Sequence, residues 1–158
     1  MKYSLATLDS ETEIKQLLAA NELHYSDLDP HQLKHFLLAR EGSKLAGVVG
    51  IEIKADCGLL RSLAVDAVYR NRQIATRLVR NMENYAKSLQ LTTLYLLTMT
   101  AEEFFSRRGF QKTDRNSAPA GIQQTTEFKN LCPASAVCMV KHLTDGIDER
   151  NITLNGEL

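Results

Sequence analysis

A chain of 158 residues with 44% hydrophobic and 24% charged content has the size and make-up of one globular domain. Lys plus Arg and Asp plus Glu stand at 19 each, so no net charge draws it to nucleic acid or to an anionic membrane. The N-terminus MKYSLATLDSETEIK lacks an apolar h-region, no run approaches the roughly 18 apolar residues of a membrane span, and the cysteine number is odd; together these predict a cytoplasmic protein in a reducing setting.

Ser10 and Glu13 spell an S-x-x-E capping box, and Ile14, Leu17 and Leu18 follow at helical spacing, which predicts a helix over 10–20. Residues 21–30 are polar, with Asp27, Asp29 and Pro30 as turn formers, and read as a loop or short helical turn. His35–Arg40 and Leu45–Ile53 are strand-like and flank Glu41-Gly42-Ser43-Lys44, a hairpin signature with a four-residue loop. Leu59–Val65 is a further strand, and three consecutive strands with short connections pair antiparallel.

After Asp66, the residues Ile74, Leu78, Met82, Tyr85, Ala86 and Leu89 fall on one stripe of a long helix starting near Asn71. Leu94–Thr98 is short and apolar, as a strand buried on both faces is. Thr100 and Glu103 spell a second capping box, and Gly109 stands where a helix-ending glycine belongs, with a short strand from Phe110. Residues 113–124 read as loop, Thr125–Leu131 as a short helical turn stopped by Pro133, and Ser135–Leu143 as the last strand. The expectation is one α/β (α+β) domain over 1–143, helices packed on a central mixed sheet, followed by a flexible polar tail over 144–158.

The segment that carries chemistry is Leu60–Leu78. A strand ends at Val65, a tight loop follows, and a helix begins. The first amides of a helix have no partner within it, and with the positive end of the helix dipole they form a site for phosphate oxygens. Arg70 and Arg72 flank this turn as further donors.

Here the chain resembles the GNAT superfamily of acyl-CoA N-acyltransferases, whose pyrophosphate signature is Q/R-x-x-G-x-G/A. Arg70 and Ala75 match the ends of Arg70-Asn71-Arg72-Gln73-Ile74-Ala75, Leu63-Ala64-Val65 matches a frequent ending of the fourth strand, and Gln73 replaces the central glycine. A helix N-terminus with φ below zero tolerates that Cβ. The second half supplies strand, short helix and Gly109-Phe110 at a similar distance. The resemblance implies a mixed, mostly antiparallel sheet with splayed fourth and fifth strands, acetyl-CoA as co-substrate, and a small-molecule amine as acceptor. It implies cofactor contacts from Leu63, Ala64 and Val65 along the pantetheine, and from Arg70, Asn71, Arg72, Gln73, Ile74, Ala75 and Thr76 at the pyrophosphate. A homodimer is implied by the same resemblance.

Within the superfamily the runs Gly58–Val65, Leu94–Thr98 with Ala101 and Phe104-Phe105, and Glu127-Phe128 to Ala136 are similar to the arsenic-resistance N-acetyltransferases. This implies acceptors such as amino acids or their phosphorus- and arsenic-containing analogues. The family's usual tyrosine acid and glutamate base are matched here by Phe105 and Leu59, which transfer no proton. A non-catalytic acyl-CoA sensor is therefore the alternative to an enzyme, and orientation with backbone polarisation of the thioester the main catalytic resource.

Arg61, two positions before Leu63 and so on the same face of a regular strand, is the candidate for gripping an acceptor carboxylate, against a solvated surface arginine. Glu127 is a candidate for the acceptor ammonium or its deprotonation, against an ordinary surface glutamate. Tyr95 is a weaker proton donor, against a core tyrosine with one satisfied hydroxyl. Cys132 and Cys138, like His24, His31, His35 and His142, show no strong ligand spacing, so no metal is expected.

Overall fold

The computed structural model describes residues 1–131 and 133–143; Cys132 and the tail from Thr144 lie outside the described residues. Seven strands, β1 (Lys2–Leu5), β2 (Phe36–Glu41), β3 (Lys44–Lys54), β4 (Cys57–Val65), β5 (Thr93–Thr98), β6 (Gln111–Thr113) and β7 (Val137–His142), form one sheet in the order β1-β2-β3-β4-β5-β7-β6. All pairs are antiparallel except β4 with β5. The helices are α1 (Glu11–Ala20), α2 (Pro30–Leu33), α3 (Ile74–Ser88), α4 (Glu102–Ser106) and α5 (Ala120–Gln123), with a π-helical turn over Glu127–Leu131.

Helices cover both faces because each carries one apolar stripe. On one face α3 lays Ile74, Leu78, Val79, Met82 and Ala86 over Leu37, Val49, Ile51, Leu60 and Leu94. On the other, α1 seats Ile14, Leu17 and Leu18 against Phe36, Leu38 and Val48. Each such fully buried aliphatic side chain contributes about 1.5–3 kcal/mol. A Cβ on Gly50 would lie 2.3 Å from the Phe36 ring, so only glycine lets that ring lie on β3.

Several local expectations give way to longer-range partners. Ser10 Oγ accepts from the Thr7 amide at 3.2 Å, while Glu13 forms a two-pronged pair with Arg40 on β2 at 2.8 and 3.0 Å. The guanidinium is a stronger partner than a helix-end amide. The Thr100–Glu103 box is likewise not made: Thr98 Oγ1 accepts from the Ala101 amide, and Glu103 pairs with Arg107. The hairpin strands extend through Glu41 and Lys44, leaving only Gly42, at φ +59°, and Ser43 in the turn. Helix α3 starts at Ile74 rather than Asn71, after a 3-10 turn over Ala67–Tyr69.

Two irregularities position the site. Strands β4 and β5 pair only over Cys57–Leu59 and Thr93–Tyr95, then splay. In β4, register moves from Val48↔Ala64 to Gly50↔Arg61, so three steps on β4 face two on β3, and Ser62 takes φ +60°. This bulge breaks the two-residue alternation. Leu60 and Leu63 both pack toward α3, whereas Arg61 turns to the opposite face, correcting its expected placement beside Leu63.

Candidate functional site

The splay opens a cleft of about 680 Å³ whose floor is Leu63–Val65 of β4. The turn into α3 forms one wall, and α4 the other. Every residue expected at the pyrophosphate lines this cleft except Arg72, which pairs with Glu41 at 3.3 Å and lies over the Tyr69 ring. Arg70 donates to the Val65 carbonyl and to Asn21 Oδ1.

The first bond closing α3 runs from the Arg77 amide to the Gln73 carbonyl. The amides of Ile74, Ala75 and Thr76 therefore have no partner inside the helix, at the end where the dipole is positive. Such an arrangement binds anions. Gln73 stands at φ +64° and Asn71 at +65°. The expectation of negative φ at Gln73 is corrected: the turn needs a left-handed residue, and a side chain there costs about 1–2 kcal/mol that glycine avoids. Replacing Gln73 by glycine is expected to leave the fold unchanged and to raise stability by roughly 0.5–1 kcal/mol, part of the relief being offset by unfolded-chain entropy. Urea unfolding of the two proteins checks this; an unchanged or lower midpoint would show no strain at Gln73.

The cleft also holds residues that sequence reasoning missed. Arg108 stacks over the Phe104 ring at 3.6 Å, donates to Thr76 Oγ1 and to the Phe104 carbonyl, and keeps a buried Nε without a partner. Burial, then the charges of Arg80 and Arg107, lower its pKa. Its position sets a second guanidinium, besides that of Arg70, beside the first turn of α3. The available signal was Arg107-Arg108 directly before Gly109.

Beyond Leu63 the cleft continues into a second pocket of about 450 Å³, bounded by the 21–24 loop, β4, the end of β5 and the π-helical turn. Arg61 and Glu127, expected to handle the acceptor, both line it. Arg61 Nη1 and Nη2 donate to Asp27 Oδ2 and Oδ1 at 2.6 and 3.0 Å, and Nη1 also donates to Glu52 Oε2 at 2.8 Å. Its Nε donates to Ser62 Oγ at 3.0 Å, with Glu127 Oε2 at 3.3 Å from the same nitrogen. The side chain is 0% exposed, its three carboxylate partners 9–12%. Burial opposes the guanidinium charge, but the Asp27 hydrogen bonds and the Glu127 and Asp27 charges outweigh it and raise the pKa. For Asp27 burial pushes upward, and the bonds and charge of Arg61 prevail to hold it below the usual carboxylate range.

Tyr95 lies elsewhere. It packs against the cluster of Cys57, Leu59 and Cys138, and lines neither cavity. Phe105 is buried edge-on to Phe104 and Phe110 and borders the acceptor pocket without a hydroxyl, while Leu59 is fully buried. Burial raises the thiol pKa of both Cys57 and Cys138, keeping them protonated. Among the described residues no group of three His, Cys, Asp or Glu is placed to hold a metal, and no helix is long and apolar enough to cross a membrane.

Residues 3–110 match the model of the Acetyltransferase (GNAT) family. Over 94 residues the chain is 33% identical to an amino-acid acetyltransferase of Pseudomonas paraeruginosa, which covers 59% of this chain and 22% of that relative. The fold is similar to N-acetylglutamate synthase from Neisseria gonorrhoeae, solved with coenzyme A and N-acetyl-glutamate, at a TM-score of 0.81 and 20% identity over 90% of this chain and 35% of the other. A Mycobacterium tuberculosis protein solved with CoA superposes at 0.76 and 20% identity, covering 91% of this chain and all of its own. The chain thus spans about a fifth of the curated relatives it matches and about a third of the gonococcal enzyme.

Proposed function

The chain belongs to the GNAT acetyltransferase family, and we propose that it is an acetyl-CoA-dependent N-acetyltransferase whose acceptor is a free amino acid or a close analogue. The observation that carries this reading is the pocket beyond Leu63, where one arginine and a surplus of carboxylates stand together. A zwitterion brings the matching opposite charges, a carboxylate for the guanidinium and an ammonium for an acid. The amino-acid acetyltransferase relatives point the same way.

In this reading the α3 amides and Arg70 hold the diphosphate of the donor, with Arg108 adding charge from the far wall. The free edge of β4 over Leu63–Val65 lies along the pantetheine arm. Gathering donor and acceptor in one splayed seam supplies the proximity that replaces a bimolecular encounter. The likeness of Gly58–Val65 and of the Glu127–Ala136 run to arsenic-resistance N-acetyltransferases extends the acceptor class to amino acids bearing phosphinate or arsonate groups.

The test is thiol release from acetyl-CoA against a panel of amino acids, their phosphinate and arsonate analogues, and amines without a carboxylate. An amino acid or analogue is expected to accelerate release well above hydrolysis. Acceleration only by carboxylate-free amines would remove the amino-acid reading.

A further inference from the structure

One wall of the acceptor pocket is a turn of an uncommon kind. Residues Glu127–Leu131 wind as a π-helix, whose hydrogen bonds reach five residues along, and such turns recur at functional positions. For the Phe128 carbonyl the fifth residue on is Pro133, which has no N–H to offer. A helix end of this sort is completed by a donor from outside, and a basic side chain suits it. Arg115 is such a donor. Its Nη2 donates to the Phe128 carbonyl and its Nη1 to the Pro133 carbonyl, each at 2.7 Å. Its guanidinium also lies 5.4 Å from the centre of the Phe128 ring, within cation–π reach. One planar group thus spans a carbonyl inside the turn and one just beyond it.

Arg115 acts from a stiff platform. It opens a 3-10 turn, Arg115–Ser117, shortly after the edge strand β6. Asp114 Oδ1 accepts from the Asn116 amide at 2.9 Å, Ser117 Oγ donates to the Asp114 carbonyl at 2.6 Å, and the Thr113 and Ser117 hydroxyls pair at 2.9 Å. Gln123 Nε2 ties the same segment to α5 by donating to the Ala118 carbonyl at 2.7 Å. From beneath, Phe128 is buried with Leu59, Ala118 and Ile122. Arg115 lines neither the cofactor cleft nor the acceptor pocket. Glu127, one residue before the first clamped carbonyl, and Pro133, which carries the second, both line the acceptor pocket.

Resting on the reading that this pocket takes the acceptor, we propose that Arg115 is a positioning residue for it: by clamping the Phe128 and Pro133 carbonyls, Arg115 sets where Glu127 and Pro133 stand in the pocket without itself touching substrate. Small displacements of a pocket wall cost binding and alignment out of proportion to their size. The clamp belongs to the acceptor end alone, since none of Arg115, Glu127, Phe128 and Pro133 lines the cofactor cleft. A planar fork suits two carbonyls at once, which a single ammonium does not.

The test is Arg115→Ala, read at both ends of the seam. Amide hydrogen exchange over 126–131 is expected to run about 10-fold faster, as local opening of the turn becomes easier. The acceptor KM is expected to rise roughly 10-fold, while calorimetric titration gives an unchanged Kd for coenzyme A. Arg115→Lys keeps the charge with one nitrogen in place of two and falls between the two proteins in exchange and in KM. Unaltered exchange in the alanine variant would show that Arg115 does not hold the turn. Faster exchange with an unaltered acceptor KM would show that the turn does not place the acceptor, and equal losses for acceptor and coenzyme A would show a general loosening of the fold. Each of these overturns the proposal and leaves the acetyltransferase reading standing. Should the alanine variant fail to fold, the lysine variant decides alone, and a wild-type KM in it counts against the clamp. If no amine accelerates thiol release by the wild type, the acceptor reading and the clamp fall together.

Discussion

Replacing Arg61 by methionine is expected to lower stability by about 3–5 kcal/mol, the range for removing one partner of a buried ion pair. That loss would consume much of the roughly 5–15 kcal/mol by which domains of this size are folded. The side chain is fully enclosed, and three carboxylates depend on it. Without it, Asp27, Glu52 and Glu127 face one another in a poorly solvated space. The acid dependence should reverse in sign. In the wild type, Asp27 is held below its ordinary pKa by Arg61, so its contribution is present above about pH 3.8 and is lost as pH falls through the folded value. In the variant the same acids resist ionisation, their pKa values rise, and the protein gains stability as pH is lowered from 7 toward 5. Urea unfolding at both values measures the effect. Adding Asp27→Asn and Glu52→Gln to the variant should recover most of the loss, since neutral amides remove the repulsion. A cost below 1 kcal/mol at neutral pH would show that the cluster is open to water and that Arg61 is not its keystone.

The second large effect belongs to the other end of β4. Ala75→Pro removes one of the three amides at the start of α3 while respecting the helix, because proline is tolerated in a first turn where its missing N–H would have had no helical partner. A hydrogen bond to a charged group is worth about 1.5–3 kcal/mol, so the dissociation constant for coenzyme A should rise roughly 10- to 100-fold. Calorimetric titration reads this directly, with circular dichroism as the check on fold. Ala75→Ser keeps the amide and should bind like the wild type. Unaltered affinity in the proline variant would mean that the diphosphate is gripped by side chains rather than by the backbone.

The sequence carried the framework to different depths. Strands β2 to β5 and helices α1 and α3 were legible because apolar spacing is a local property, fixed by the element's own period. The anion turn was legible for a related reason: strand, tight loop and helix onset are consecutive in the chain, so residues 63–76 arrive at one place together. Arg61 was a different matter. Its candidacy could be read, but not its three partners, which are contributed by a loop, a neighbouring strand and a turn 34, 9 and 66 positions away. Nor does a two-residue rhythm announce the bulge at Ser62, which sends Arg61 to the face opposite Leu63. The left-handed turn at Gln73 was misjudged because helix-onset geometry was assigned three residues too early. The pairs Ser10–Glu13 and Thr100–Glu103 spelled caps correctly and still lost their acids, to Arg40 and Arg107. A local motif states what a segment can do alone; a stronger charge arriving from elsewhere decides what it does.

The seam between β4 and β5 has a mechanical side. Only three rungs join them, Cys57↔Thr93, Gly58↔Leu94 and Leu59↔Tyr95, so the sheet is two plates riveted at one end. Beyond the last rivet, β4 offers an unzipped margin of peptide groups toward the cleft, the sort of margin that soluble sheets ordinarily cover or blunt. A slender molecule lying along it would act as the missing lath, lending the plates a rigidity that the polypeptide by itself forgoes.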